Sequence, residues 1–287
     1  MSYNSDFDLD SVLNNCDISD IGILIDHITD RGEGRIALSS SACGQLIAVK
    51  RSGIVEEDDL KLISSEIRSF GGNSIFNLFR GGNGVTYKEV LTDVADHLKV
   101  NCNKNSSCER IEIEILLKVL EQSIEKMTEE ERKEILESFG GSYTTMTGPA
   151  LMLALQTAIR ASGFATYKLA AIVAQAVAKA ILGRGLAFST VGPLMKGIST
   201  FAGPIGWVIT GIWTAFDLAS PAYRVTIPCV IQIAYMRQKM LNEKNKDREN
   251  AHATEATAFC PSCHTPHKIN AKFCQECGHR LGQLSIN

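Results

Sequence analysis

Apolar residues recur at helical spacing through the first half of the chain. Leu9, Val12 and Leu13 in DLDSVLNNC share one helical face, as do Ile21, Leu24, Ile25 and Ile28 in DISDIGILIDHITD. EEDDLKLISSEIRSF keeps the period and then meets Gly71 and Gly72, a good helix stop. TYKEVLTDVADHLKV puts Val90, Leu91, Val94 and Leu98 on one face. It opens with Thr86 and Glu89, the spacing at which a hydroxyl and a carboxylate cap each other's backbone N–H. Ser106 with Glu109, and Thr128 with Glu131, repeat that spacing ahead of IEIEILLKVLEQSIEKM and RKEILESF. The IEIEI alternation would suit a strand, but the run continues at helical period. Residues 1–140 are therefore expected to be an α-helical domain.

The pattern changes at residue 141. No acidic residue lies between Glu137 and Asp217, and Ala and Gly accumulate through residues 141–241. Ala170, Ala174 and Ala178 recur every four residues, which permits close helix–helix approach. Residues 197–216 carry no charge, enough length to cross a hydrocarbon core of about 30 Å, but Gly203, Pro204, Gly206 and Gly211 interrupt them. Three readings stand: a buried helical hairpin in a soluble bundle, a segment that inserts reversibly into lipid, or a constitutive span. The flanking Arg160, Lys168, Lys179, Arg184 and Lys196 suit an anionic surface. Arg184, Lys196, Trp207 and Trp213 are the candidate contacts with a membrane or a partner. A last helix follows, which Pro228 starts or kinks, and its apolar positions run into a charged, solvated end. Residues 242–258 contain no large apolar side chain and read as a linker.

Charge sharpens the contrast between the halves. Residues 1–140 hold 15 basic against 26 acidic side chains, net −11; residues 141–287 hold 14 against 6, net +8. Either the halves face each other or the basic half meets an anionic partner. The opening MSYNSDFDLD has no basic or apolar leader pattern, so the expected location is the cytoplasm, with conditional peripheral attachment to the inner membrane as the variant. In that reducing compartment paired cysteines point to metal rather than to disulfides. Cys16, Cys43, Cys102, Cys108 and Cys229 are scattered and read as ordinary thiols.

The remaining four cysteines are not scattered. Residues 259–287 carry Cys260-x2-Cys263 and, ten residues later, Cys274-x2-Cys277. Each pair can clamp one side of a tetrahedral ion, and the complete thiolate set makes a closed structural site, so the expected cofactor is one structural Zn²⁺ in a small zinc ribbon. His264, His267 and His279 are spare ligands that a four-cysteine site does not need. A redox reading of the CxxC pairs would need a thioredoxin-like context that the chain does not offer. Lys268, Lys272 and Arg280 give a mild basic tilt without interleaved aromatics, which disfavours nucleic acid as a partner.

No catalytic constellation is recognisable. FRGGNGVTYK lacks the spacing of a phosphate loop, SSSACG has no nucleophile-elbow pattern, and His27 and His97 stand on helices without partner ligands. Two stretches, FGGNSIFNLFRGGNGVTYKEVLTDVADHLKV (70–100) and AYRVTIPCVIQIAYMR (222–237), resemble the bacterial YaaW family, which is grouped with ubiquinol–cytochrome c chaperones. The opening DFDLDSVLNNCDISDIGILIDHIT also fits that family. The likeness spans about residues 1–240, with the zinc tail an addition. It implies a helical cytoplasmic protein without established enzymatic activity, and it brings no catalytic residues with it. The expected fold is all-α with a small C-terminal zinc ribbon. The leading functional expectation is a non-enzymatic protein meeting a membrane through residues 150–216, in its sharp form a stress or defence effector. The alternative is a soluble chaperone, assembly factor or adaptor that binds a protein partner through the apolar region and the ribbon. Homo-oligomers are compatible with either.

Overall fold

The computed structural model describes residues 5–33, 38–71, 84–141, 147–186, 203–208, 210–211, 222–255, 257–268 and 271–281. The chain divides into two compact units, Met1–Met240 and Leu241–Asn287.

The first unit is helical, as the apolar period requires. Its named helices are α1 (Phe7–Leu13), α2 (Ile18–Thr29), α3 (Ser40–Ser52), α4 (Glu57–Gly71), α5 (Tyr87–His97), α6 (Cys108–Ile124), α7 (Glu129–Ser138), α8 (Gly148–Ala161) and α9 (Gly163–Leu182). Helix α10 (Tyr223–Glu255) begins in this unit. Two of the expected capping boxes are formed, at Thr86/Glu89 and Thr128/Glu131. The third differs: Ser107, not Ser106, caps α6 by accepting from the Arg110 N–H at 3.3 Å. Two adjacent serines compete for one cap, and α6 starts where Cys108, Ile111 and Ile115 can all be buried. The glycine-rich stretch 72–83 lies outside the described residues.

One apolar core runs from Leu9 to Met236 and draws on every helix of the unit. Helix α9 is buried on nearly all sides from Ala165 to Ala178. Its alanines let α8 and α6 pack close, and 72% of its most apolar window is inside the fold. Helices α8 and α9 follow each other with only Ser162 between them. Among the described residues α9 is long and apolar enough to cross a membrane by length and composition, but here it is a core helix.

Helix α10 is equally buried from Val225 to Met236, and Pro228 sits inside it rather than at its start. Its second half shows how the two charges meet. Arg237 donates through Nε to Glu112 Oε2 at 2.7 Å and through Nη2 to Glu112 Oε1 at 3.1 Å, and its Nη2 also reaches the Asp8 carbonyl at 3.0 Å. The Tyr87 hydroxyl donates to the same carboxylate at 2.8 Å. Lys239 pairs with Asp20 at 2.8 Å and with Asp17. Gln232 donates to the Asp20 carbonyl at 3.3 Å. Elsewhere Arg184 and Lys50 pair with buried Asp26, and Arg160 reaches Glu114 at 3.2 Å. Four cations of the acid-poor half, Arg160, Arg184, Arg237 and Lys239, thus meet carboxylates of the acidic half inside one unit.

The Glu112 cluster also joins the two stretches that carried the family likeness. Tyr87 comes from one and Arg237 from the other, and the His97 ring stacks on Tyr223 with centroids 3.8 Å apart. Burial pushes the Glu112 carboxyl above its usual range, opposed by Arg237 and by Tyr87, and burial raises the Tyr87 hydroxyl well above its own. A carboxylate only 1% exposed is met by a bidentate guanidinium whose side chain is 9% exposed.

The segment expected as a linker is different. Residues 242–255 continue α10 as helix, and the strand that follows begins at Thr257. Their polar composition leaves residues 243–248 exposed, but alternating charges and good helix formers keep the helical state.

Two substitutions test this packing. Arg237→Met should cost about 3–5 kcal/mol in urea unfolding, because Glu112 is left buried and unpaired, while the double change Arg237→Met with Glu112→Leu should recover most of it. At the end of α4, an added Cβ on Gly71 would lie 2.4 Å from Val90 Cγ2. Gly71→Ala should therefore lower stability by about 1–3 kcal/mol on the same assay.

Candidate metal centre

The second unit supplies the most defined chemistry. Strand β1 (Thr257–Phe259) pairs antiparallel with β2 (Pro266–Lys268), with Phe259 opposite Pro266 and Thr257 opposite Lys268. An isolated antiparallel bridge joins Phe273 to Arg280. These two hairpins are the same structure repeated fourteen residues apart. Phe259 and Phe273 correspond, as do Cys260 and Cys274, Cys263 and Cys277, and Pro266 and Arg280.

The backbone hydrogen bonds repeat with the same offset. His264 N–H donates to the Cys260 carbonyl at 2.9 Å, and Gly278 N–H donates to the Cys274 carbonyl at 3.0 Å. Cys260 N–H donates to the Thr265 carbonyl at 3.0 Å, and Cys274 N–H to the His279 carbonyl at 2.8 Å. Each turn closes on a left-handed residue, His264 at φ 57° and Gly278 at φ 68°. Glycine takes that conformation without strain; histidine does so at a modest cost. Each turn thereby aims its two sulfurs into one space between the hairpins.

All four Sγ atoms lie within 4.8 Å of one another. Cys260 and Cys277 are 3.6 Å apart, and Cys263 and Cys274 are 3.5 Å apart. A tetrahedral ion with metal–sulfur bonds of about 2.3 Å would separate its sulfurs by about 3.8 Å, so the set is already close to that size. In each pair the first cysteine is buried and the second exposed. The thiols titrate apart. Hydrogen bonding with Thr265 pulls Cys263 down to about 6. For Cys277 a backbone hydrogen bond from His279 favours the thiolate, but the neighbouring Cys263, Cys260 and Cys274 outweigh it and hold the group up to about 12. Four thiolates cannot crowd together uncompensated, and a divalent cation removes that conflict. The four-cysteine group can therefore hold a metal ion. Among the described residues it is the group of cysteine, histidine and carboxylate side chains that converges in this way, and His264, His267 and His279 are not part of it.

The other expected contact residues scatter. Arg184 is engaged by Asp26, and Trp207 is 76% exposed on a helical segment at residues 203–208. Lys196 and Trp213 lie outside the described residues. Sequence reasoning missed the buried cluster of Tyr87, Glu112 and Arg237, whose members are too far apart in the chain to leave a local signal. It also missed the fourteen-residue repeat of the tail, which the matched FC-x2-C openings would have revealed.

Several known proteins are similar to the chain. Residues 59–231 match the family described as ubiquinol-cytochrome C chaperone. The chain is 44% identical over 205 residues to a UPF0174 protein of Helicobacter pylori strain J99, covering 71% of this chain and 80% of that one. It is 30% identical over 242 residues to the UPF0174 protein YaaW of Escherichia coli K12, covering 83% of this chain and 96% of that one. No solved structure matches it.

Removing the ion should act locally. A chelator at neutral pH is expected to collapse the amide NMR dispersion of residues 259–281, while the helical circular dichroism of residues 1–240 stays nearly constant. Acid should do the same without chelator, since thiolates protonate as pH falls and release the metal, between about pH 7 and pH 4. A cooperative loss of the whole helical signal on chelation would contradict the independence of the metal unit.

Proposed function

The chain belongs to the ubiquinol-cytochrome C chaperone family, and we propose that it is a non-enzymatic chaperone or assembly factor that binds a protein partner in the cytoplasm. The observation that carries this reading is the family match over residues 59–231, which fall in the helical unit. The ionisable groups buried in that unit support it: Glu112, Asp20 and Asp26 are each engaged by a cation of the same chain. They hold helices together instead of facing a substrate. None of the nine cysteines is joined in a disulfide, and four of them are drawn together as ligands.

The metal we assign to the four cysteines is zinc, as a structural ion. Four soft thiolates in near-tetrahedral spacing match its preference, and a closed ligand set leaves no position for substrate. Among the residues whose burial is described, the unit buries no apolar side chain but Cys260 and Cys274, so the ion takes the place of a core. A membrane-effector role draws less support. Helix α9 would have to leave a packed core to enter lipid, and Arg184 would have to give up Asp26.

Affinity purification of the tagged full chain after in-cell crosslinking tests the reading. A defined protein partner should be recovered in stoichiometric amount, and flotation with anionic vesicles should leave the chain at the bottom of the gradient. Recovery of vesicle-bound chain with no protein partner would overturn the proposal.

A further inference from the structure

Arg160, Arg184, Arg237 and Lys239 are taken up by carboxylates of the chain, while two lysines that face one groove are not. Lys179 in the last turn of α9 and Lys126 between α6 and α7 are exposed and have no carboxylate partner among the described residues. Both line one open groove of about 660 Å³. Its other wall is the helical segment at residues 203–208, anchored from below by Ile205, 0% exposed, and Val208, 5% exposed. From the outer face of that segment Trp207 projects with 76% of its surface exposed. Beside it the floor is low. A Cβ on Gly203 would touch nothing, and one on Gly206 would meet only the Ala180 methyl at 3.8 Å. Glu131 stands at the rim, but its carboxylate already accepts the Thr128 N–H at 2.8 Å.

An exposed tryptophan over a glycine floor offers an anchor for one large apolar side chain, and two lysines without an ion-pair partner among the described residues, against one carboxylate at the rim, leave an attraction for carboxylates. We propose that this groove docks an acidic segment of a partner protein that presents an aromatic or large aliphatic side chain. The inference deepens the chaperone reading and rests on it. A lipid surface fits less well. The site is concave and holds a single aromatic ring, and the apolar face of the adjoining α9 is turned into the core. Interfacial binding asks for a broad apolar face instead.

The test uses the full chain and a fluorescent peptide of about twelve residues, with glutamates flanking two phenylalanines. Trp207→Ala, and separately the pair Lys126→Glu with Lys179→Glu, should each weaken its binding by about tenfold or more. The pair Lys244→Glu with Lys246→Glu makes the same charge change on exposed helix far along the sequence, and should shift binding less than about twofold. Unchanged helical circular dichroism and melting temperature identify variants that remain folded. Absence of peptide binding, or equal binding to all variants, overturns the proposal. So does variant-sensitive binding seen only with phosphatidylglycerol vesicles. If a partner recovered from cells stays bound to the Trp207→Ala chain, the groove is wrong and the chaperone reading stands; if no partner is recovered at all, that reading fails first.

Discussion

A single buried carboxylate organises the helical unit. Glu112 lies on α6, almost without solvent, and accepts from Arg237 of α10 and from Tyr87 of α5. Arg237 then reaches back to the Asp8 carbonyl of α1. Four helices separated along the chain are thus tied to one pair of oxygens. Burying a charge is expensive, so each neighbour is constrained to supply its hydrogen bond in one place. The surrounding apolar residues provide the bulk of the driving force, but they would tolerate small slips of α10. The forked guanidinium does not, because its donors match the carboxylate in one register only.

Lys239 with Asp17 and Asp20, Arg184 and Lys50 with Asp26, and Arg160 with Glu114 extend the same logic outward. The strong charge difference between the halves of the chain is to this extent an internal matter. It closes one half on the other. Lys126 and Lys179 pair with no carboxylate among the described residues, and they stand beside an exposed ring.

The metal unit solves a different problem. Among its described residues it buries Cys260 and Cys274 but exposes both Phe259 and Phe273, so the hydrophobic effect has little to act on there. Two copies of one turn, fourteen residues apart, instead converge on a shared set of sulfurs. The repeat explains why the ligands are equivalent in pairs, and why each turn needs a left-handed residue directly after its second cysteine.

Much of this was readable from the sequence because it is local. Helix period, the Thr86 and Thr128 caps and the two CxxC pairs each depend on residues a few positions apart, where the backbone alone fixes the geometry. Local signals also misled in places. Ser106 lost the cap to its neighbour because burial of α6 decided the start; residues 242–255, read from composition as a linker, are helical and follow the point where the two units divide. The apolar stretch now seen as α9 was ambiguous for a physical reason: composition is the same for a core helix and a lipid-facing one, and only the packing of other helices around it distinguishes them. Net charge by halves announced that opposite charges existed, without saying which would pair. The sequence by itself determined the helices and the metal ligands. Tertiary structure decided the choice of Glu112 for Arg237 and the burial of α9, because both depend on side chains more than a hundred residues apart meeting where water is excluded.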